Sequence, residues 1–286
     1  MLVRFGTTIL NNGWRKDLAT SEHDLVLRFL RAKFNHVYSE IDKYMLAGWT
    51  HLRLPNMNPR VDIDIIREVL DSGKLDAYKD VLKNHKISFS NHNHYICNSV
   101  NRNNIDTITD YILKLNMITD FMGIVDLQMC NHVNNNKFEE IVNSLRDIRS
   151  IIGDDIYSRL CIENSENGFN LKKCIDLAAC TDTRVIFDNL HHRINNNKEM
   201  TNTLIKSTVD TWSIKDTVKM HYSNGNMRGA HNSNFNLKEF MELINQYRKY
   251  TNELIVVVEL SYSKEIIENL RYNKSLRWNN DLTFNQ

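Results

Sequence analysis

Proline is almost missing from this chain: Pro55 and Pro59 are the only two in 286 residues. No Gly/Ser/Pro-rich linker or block of like charge divides the sequence either, so one domain spanning residues 1–286 is expected. Long apolar runs are absent, and none approaches the roughly 18 residues that a membrane-spanning helix needs. The opening Met1-Leu2-Val3-Arg4-Phe5-Gly6 reads as a strand and carries no charged leader with an apolar core. An intracellular protein, cytoplasmic or nuclear and not secreted, is therefore expected. The five cysteines, Cys97, Cys130, Cys161, Cys174 and Cys180, lack C-x-x-C spacing and are odd in number. This argues against a disulfide framework and against a zinc ribbon, leaving reduced and mostly buried thiols as the expectation. Net charge is also scarce: a balance of +1 announces no nucleic-acid partner globally, although a local basic face is compatible with it. With 42% hydrophobic and 25% charged residues, what remains is the composition of a globular protein with room for a sizeable core.

Against these absences stands one recurring pattern. Six short apolar runs end in residues of metal-ligand type: Phe89-Ser90-Asn91-His92, Leu127 to His132, Leu160-Cys161-Ile162-Glu163, Val185-Ile186-Phe187-Asp188 with His191, Val218-Lys219-Met220-His221, and Ile255 to Glu259. From His92 the next candidates follow after 40, 31, 25, 33 and 38 residues, each interval suiting one strand plus one covering helix. Eight runs read as strands: Leu2–Phe5, His51–Leu54, Ile87–Phe89, Ile124–Met129, Arg159–Ile162, Arg184–Phe187, Val218–His221 and Leu254–Leu260. Between them lie amphipathic stretches at 40–46, 105–115, 138–152, 171–179, 200–211 and 237–247, and Asp24 to Ala32 reads as a further covering helix. The expected fold is a single (β/α)8 TIM-type barrel of parallel strands, with its active site at their carboxyl ends.

Each candidate also has a plainer structural explanation. Asp188 and His191 could share an ion, or Asp188 could cap a helix; His192 beside them would support the site or lie in water. Lys219 and His221 point to one side of their strand, whether into a barrel or, on an edge strand, into solvent. Glu163 and Glu259, at the ends of strands buried on both faces, must be metal-bound, capped or paired, with Arg159 or Arg184 and with Lys264 as the respective alternatives. His92 and His132 could be ligands or hydrogen-bonded histidines near the sheet end, and His231 lies in a loop that could curl over the same end. Oxygen and imidazole donors without a cysteine pattern suit Mn²⁺, Mg²⁺, Fe²⁺ or Zn²⁺. Five histidines and three carboxylates exceed one ion's needs. Two or three ions a few ångströms apart stabilise the entering and leaving oxygens of phosphoryl transfer, and one can hold hydroxide near neutral pH, so phosphodiester hydrolysis is the natural chemistry.

In this order the residues resemble the UV damage endonuclease family, a metal-dependent relative of the endonuclease IV type of barrel. The resemblance is carried by Ile162-Glu163-Asn164, Val185 to His192, Thr211-Trp212, Lys219 to Ser223, Gly229-Ala230-His231 and Val258-Glu259, and more loosely by Arg4-Phe5-Gly6, Leu52 to Pro55 and Ser90-Asn91-His92. It implies metal ligands at His92, His132, Glu163, Asp188, His191, His221, His231 and Glu259, with Lys219 beside the ions and with Lys219 and Glu163 as the catalytic pair. It further implies two or three divalent ions, Mn²⁺ foremost, and damaged double-stranded DNA as the partner of a monomeric enzyme that nicks on the 5′ side of a UV photoproduct.

The departures fall on the DNA side. Asn93-His94-Tyr95 stands where the family continues with Pro-Gly-Gln and an aromatic, Thr7 replaces the aromatic after Gly6, and Leu54-Pro55-Asn56 replaces paired serines. His132 is followed by Val133-Asn134-Asn135-Asn136 in place of glycines. Tyr95, with His94 and Arg53, is then the expected lesion contact, since unstacking is cheaper at damaged pairs. A metal-dependent sugar isomerase or epimerase on the same barrel, and a DNA-binding relative whose lesion reading has decayed, are the alternatives.

Overall fold

The computed structural model describes residues 2–8, 21–46, 49–57, 59–85, 87–92, 105–133, 137–195, 202–212, 216–225 and 235–259. Eight strands alternate with helices: β1 (Leu2–Thr8), β2 (His51–Leu54), β3 (Ser88–His92), β4 (Leu127–His132), β5 (Leu160–Glu163), β6 (Arg184–Asp188), β7 (Val218–Tyr222) and β8 (Glu253–Val258). All neighbours pair in parallel in chain order. Pairing of β1 with β8, from Leu2 opposite Glu253 to Gly6 opposite Val257, closes the ring. The expected TIM-type barrel is thus observed.

The helices bury one stripe each against the outside of the ring. In α1 (Glu22–Leu46) that stripe is Val26, Leu30, Phe34, Val37 and Ile41, at steps of four, four, three and four residues. The two stretches read separately at 24–32 and 40–46 are therefore one helix, because Phe34 and Val37 continue the stripe through a polar-looking middle. The other long helices are α2 (Ile63–Asp71), α3 (Ile105–Phe121), α4 (Phe138–Tyr157), α5 (Leu171–Thr181), α7 (Asn202–Asp210) and α8 (Leu237–Tyr247). A six-residue α6 (Asn189–Ile194) directly follows β6. Each fully buried Leu, Ile or Phe contributes about 1.5–3 kcal/mol.

The fourth strand begins three residues later than the sequence suggests, and the reason is a helix cap. Gly123, at φ +79°, ends α3 with its N–H on Asp120 O at 2.9 Å, while Ile124 N–H reaches Thr119 O at 3.0 Å. This is a Schellman motif, and it makes Ile124 an apolar cap contact and not a strand residue. A Cβ on Gly123 would stand 2.8 Å from Lys83 N, so glycine also admits the neighbouring turn. On the third, fourth, fifth and sixth strands the ladder runs one or more residues past the expected end, so His92, His132, Glu163 and Asp188 are strand residues, as His221 was expected to be.

Alternation places Leu52, Phe89, Met129, Ile162, Phe187, Met220 and Val256 outward in the helix-facing core. The inward set is unusually polar: His51 and Arg53, Ser88, Ser90 and His92, Cys130 and His132, Glu163, Asp188, Lys219 and His221. Most barrel interiors are filled by branched aliphatics. Each buried polar group here must find a partner inside the ring. In the lower layers His51 does so through Ser88 Oγ at 2.8 Å and Ser90 Oγ at 2.9 Å. Burial first, then the charges of Lys219 and His221, hold its pKa well below the ordinary 6.5. The unfolded chain takes up a proton there near pH 6.5 and the folded chain does not, so stability is lost as pH falls below that value. His51→Asn should shallow the acid limb of stability against pH, between about 6.5 and 5, by roughly 1 kcal/mol per unit at most. Denaturant midpoints across that range give the slope, and an unchanged slope would mean that His51 is not held neutral.

Candidate metal centre

Asparagines lock the strand ends that present the site. The Asn164 amide, immediately after β5, donates to Asp188 O and accepts from Asp188 N–H, both at 2.9 Å. Asn189, immediately after β6, repeats the device on β7, with Ser223 O at 3.0 Å and Ser223 N–H at 2.8 Å. Each side chain copies a peptide unit and carries the ladder one step past the strand. The neighbouring Glu163, Asp188 and His221 are thereby fixed at the carboxyl end. At the opposite end of β6, Val185 N–H donates to Thr211 Oγ1 at 3.0 Å and Val185 O accepts from Trp212 Nε1 at 2.8 Å, which gives Thr211-Trp212 a structural role.

Glu163 is the hub. Its Oε2 lies 3.1 Å from His92 Nε2, 3.6 Å from His132 Nε2 and 2.9 Å from Cys130 Sγ, and its Oε1 lies 2.8 Å from His221 Nδ1. Neither Arg159 nor Arg184 reaches it: they pair with Asp120 and Asp216. Glu259 pairs with Arg53, and His221 Nδ1 stands 3.3 Å from Glu259 Oε1. Asp188 does cap α6, through Oδ1 to His191 N–H at 2.8 Å, yet its Oδ2 is buried without a hydrogen-bond partner. Capping and site membership coexist because the two oxygens divide the work.

Four donor groups follow, each with ligand atoms within 4.8 Å of one another: His92, His132 and Glu163; Cys130, Glu163 and His221; Glu163, Asp188 and His191; and Asp188, His221 and Glu259. The structure therefore brings together His92, His132, Glu163, Asp188, His191, His221 and Glu259. His231, His94 and Tyr95 lie outside the described residues, as do Lys264 and Cys97. Of the other thiols, Cys130, Cys161 and Cys174 are free and buried and Cys180 is free and exposed. Lys219 is not on an edge strand, since the ring is closed. It is fully enclosed one layer below His221, with Nζ 3.4 Å from Asp126 Oδ1, just before β4. Burial lowers its pKa and Asp126 partly offsets this. His192 is buried against the Phe187 ring, with centroids 5.5 Å apart, and is not solvated. Arg53, expected at the DNA, is 7% exposed with its guanidinium turned to Glu259 and to His221 at 3.3 Å.

The electrostatics are those of closely packed carboxylates, imidazoles and one guanidinium shut away from water. Burial raises Asp188 to about 7, with the Glu163 and Glu259 carboxylates adding to it. Burial would also raise Glu259, but Arg53 and His221 outweigh it and hold it near 2. Glu163 is likewise held well below its usual range against burial by His221 and His132. Burial depresses His92 to about 3, leaving a neutral ring competent to bind metal. His92 Nε2 and His132 Nε2 face each other at 2.8 Å, and with both rings neutral a lone pair points between them. Against burial, facing carboxylates raise His191 to about 10 and raise His221 as well. An unsatisfied carboxylate oxygen, the neutral His92 and His132 rings and three converging carboxylates are a donor set that divalent cations satisfy.

Two supporting residues were not identified from sequence. Glu166 Oε2 stands 2.5 Å from His191 Nδ1, an ion-pair contact without hydrogen-bond geometry that places a carboxylate behind the ring. Cys130 touches Glu163 from the floor. The signal for Glu166 was its place in the loop after Glu163, and for Cys130 its alternation with His132.

Comparisons with known proteins give the family and the fold. Residues 67–279 match the family model described as UV-endonuclease UvdE. A UV DNA damage endonuclease of Clostridium perfringens (strain 13 / Type A) is 25% identical over 114 residues, covering 38% of this chain and 28% of that relative. The crystal structure of SacUVDE superposes with a TM-score of 0.72 at 24% identity, covering 94% of this chain and 98% of that one. A protein described as a sugar phosphate isomerase/epimerase, from Anabaena variabilis ATCC 29413, shares the fold at a TM-score of 0.60 and 12% identity, covering 96% of this chain and 89% of its own. With three quarters of its length matched by the family model, and a closed barrel whose strand ends carry the ordered donors, the chain belongs to the UV-endonuclease UvdE family.

Proposed function

We propose that this protein is a metal-dependent DNA repair endonuclease that nicks duplex DNA on the 5′ side of UV photoproducts. The carrying observation is the converging donor set around Glu163 at the open end of the barrel, in a chain of this family. In this reading one domain spanning residues 1–286 acts as an intracellular monomer. Two or three divalent ions, Mn²⁺ foremost, are held by His92, His132, Glu163, Asp188, His191, His221 and Glu259, with His231 completing the set. When bound, they supply Lewis-acid stabilisation of phosphoryl charge and acidify water near neutral pH.

The chain's own residues prepare that chemistry. Arg53 holds the Glu259 carboxylate charged and orients it, while the Glu166 carboxylate stands against His191 Nδ1. Lys219 adds fixed positive charge beneath the cluster, set by Asp126. Partial exposure of the His92, His132, His191 and Glu259 side chains, at 7 to 12% against 1% for Glu163, leaves one face of the cluster open to a phosphate. Tyr95 and His94 would meet the lesion, and backbone phosphates would meet basic side chains including Arg271, Lys274 and Arg277.

Incubation with Mn²⁺ and labelled duplexes carrying a pyrimidine photoproduct, an abasic site or no lesion tests this. Nicking 5′ to the photoproduct is expected. Cleavage at abasic sites alone would redefine the substrate, and no incision of any duplex would overturn the endonuclease reading.

A further inference from the structure

The donor set contains one sulfur. Cys130, the middle residue of the inward row Gln128, Cys130, His132, stands opposite His92 in the β3–β4 register and is 1% exposed. Its Sγ is 2.9 Å from Glu163 Oε2, and it forms with Glu163 and His221 a buried group whose donor atoms all lie within 4.8 Å. A second observation lies beside it: Asp188 Oδ2, on the next strand but one, is fully buried and unpartnered among the described residues, in donor groups that share Glu163 and His221 with that of Cys130. Without an ion the thiol donates to Glu163 Oε2, and a small apolar residue at this inward position would offer Glu163 no such contact.

We propose that Cys130 is a metal ligand, so that the ion shared by Cys130, Glu163 and His221 is a borderline-soft one of the Zn²⁺, Fe²⁺ or Co²⁺ class. The inference rests on the reading of the cluster as a metal centre. Thiolate sulfur shifts preference away from Mn²⁺ and Mg²⁺, whereas the Glu163, Asp188 and His191 group has only oxygen and nitrogen donors and keeps that preference. The centre is therefore of mixed character: one softer position at the floor and harder positions toward the open face. The step balances simply. The thiol proton leaves to solvent as the S–metal bond forms, with no change in oxidation state, as for any coordinating thiol.

The test is optical and independent of activity. Metal-free protein titrated with Co²⁺ should develop a sulfur-to-cobalt charge-transfer band in the near ultraviolet alongside visible ligand-field bands. Cys130→Ser should lose the first and keep the second, while Cys161→Ser, one strand over on the same face, should keep both. In Zn²⁺/Mn²⁺ competition, Cys130→Ser should lower the preference for Zn²⁺ by about tenfold or more. Ligand-field bands without a charge-transfer band in the unaltered protein, or a charge-transfer band that survives in Cys130→Ser, would overturn the sulfur ligand while leaving the metal centre standing. Absence of any Co²⁺ spectrum would overturn the metal centre, and this proposal with it.

Discussion

Glu163→Gln should reduce incision by about 10³-fold or more, a loss of several kcal/mol of the charge stabilisation that bound cations bring to phosphoryl transfer. The size of the effect follows from position. Among the described residues Glu163 belongs to three of the four donor groups and is the only one that touches His92, His132, His221 and Cys130 at once. Glutamine keeps the volume, so the barrel interior stays filled, but it brings one neutral oxygen in place of two that share a negative charge. Metal content should fall together with activity, and circular dichroism with thermal melting should show a folded barrel. A folded variant that cuts at full rate would remove Glu163 from the ligands.

Arg53→Leu carries the largest expected effect on stability. The guanidinium neutralises Glu259 inside the ring and stands 3.3 Å from His221. Removing it leaves a carboxylate in a low-dielectric interior, and breaking a buried pair from one side costs about 3–5 kcal/mol. Two further outcomes separate this account from simple loss of packing. Arg53→Leu with Glu259→Gln should recover most of the loss, because no charge is then stranded. Divalent cation should stabilise the single variant more than it stabilises the unaltered protein, because the ion takes over part of the arginine's role. Denaturant titrations with and without metal measure both, and a double variant no more stable than the single would contradict the ion-pair account.

The barrel and most of its centre could be read in the sequence because two periodicities were superimposed. Strands buried on both faces wrote themselves as short apolar runs, and function wrote itself as the charged or imidazole residue closing each run. What stayed hidden depended on tertiary partners. Ile124 looked like strand because apolar character does not distinguish a helix cap from a ladder, and only the hydrogen bonds of Gly123 and Ile124 separate them. The polar middle of α1 concealed one continuous helix. Cys130 passed as one more apolar residue in Leu127 to His132, although alternation with His132 put it on the ligand side. Arg53 looked like a groove residue, and its partner Glu259 lies 206 positions away. Lys219 pointed inward as its alternation required, but its height in the barrel depended on Asp126, a residue outside every motif. The two asparagines after Glu163 and Asp188 were visible as a repeated pair, Glu-Asn and Asp-Asn, whose meaning emerged only when each amide was seen to bridge to the next strand.

The central claim is that the donors gathered around Glu163 hold more than one ion. Anomalous diffraction from crystals grown with divalent metal, recorded at the absorption edge of each metal supplied, tests it most directly. At least two peaks are predicted inside the ring, with Glu163 at bonding distance from more than one of them and Asp188 Oδ2 bonded to one. A map with no peak, or with a single ion that leaves Asp188 Oδ2 and the facing His92 and His132 nitrogens uncoordinated, would contradict the account.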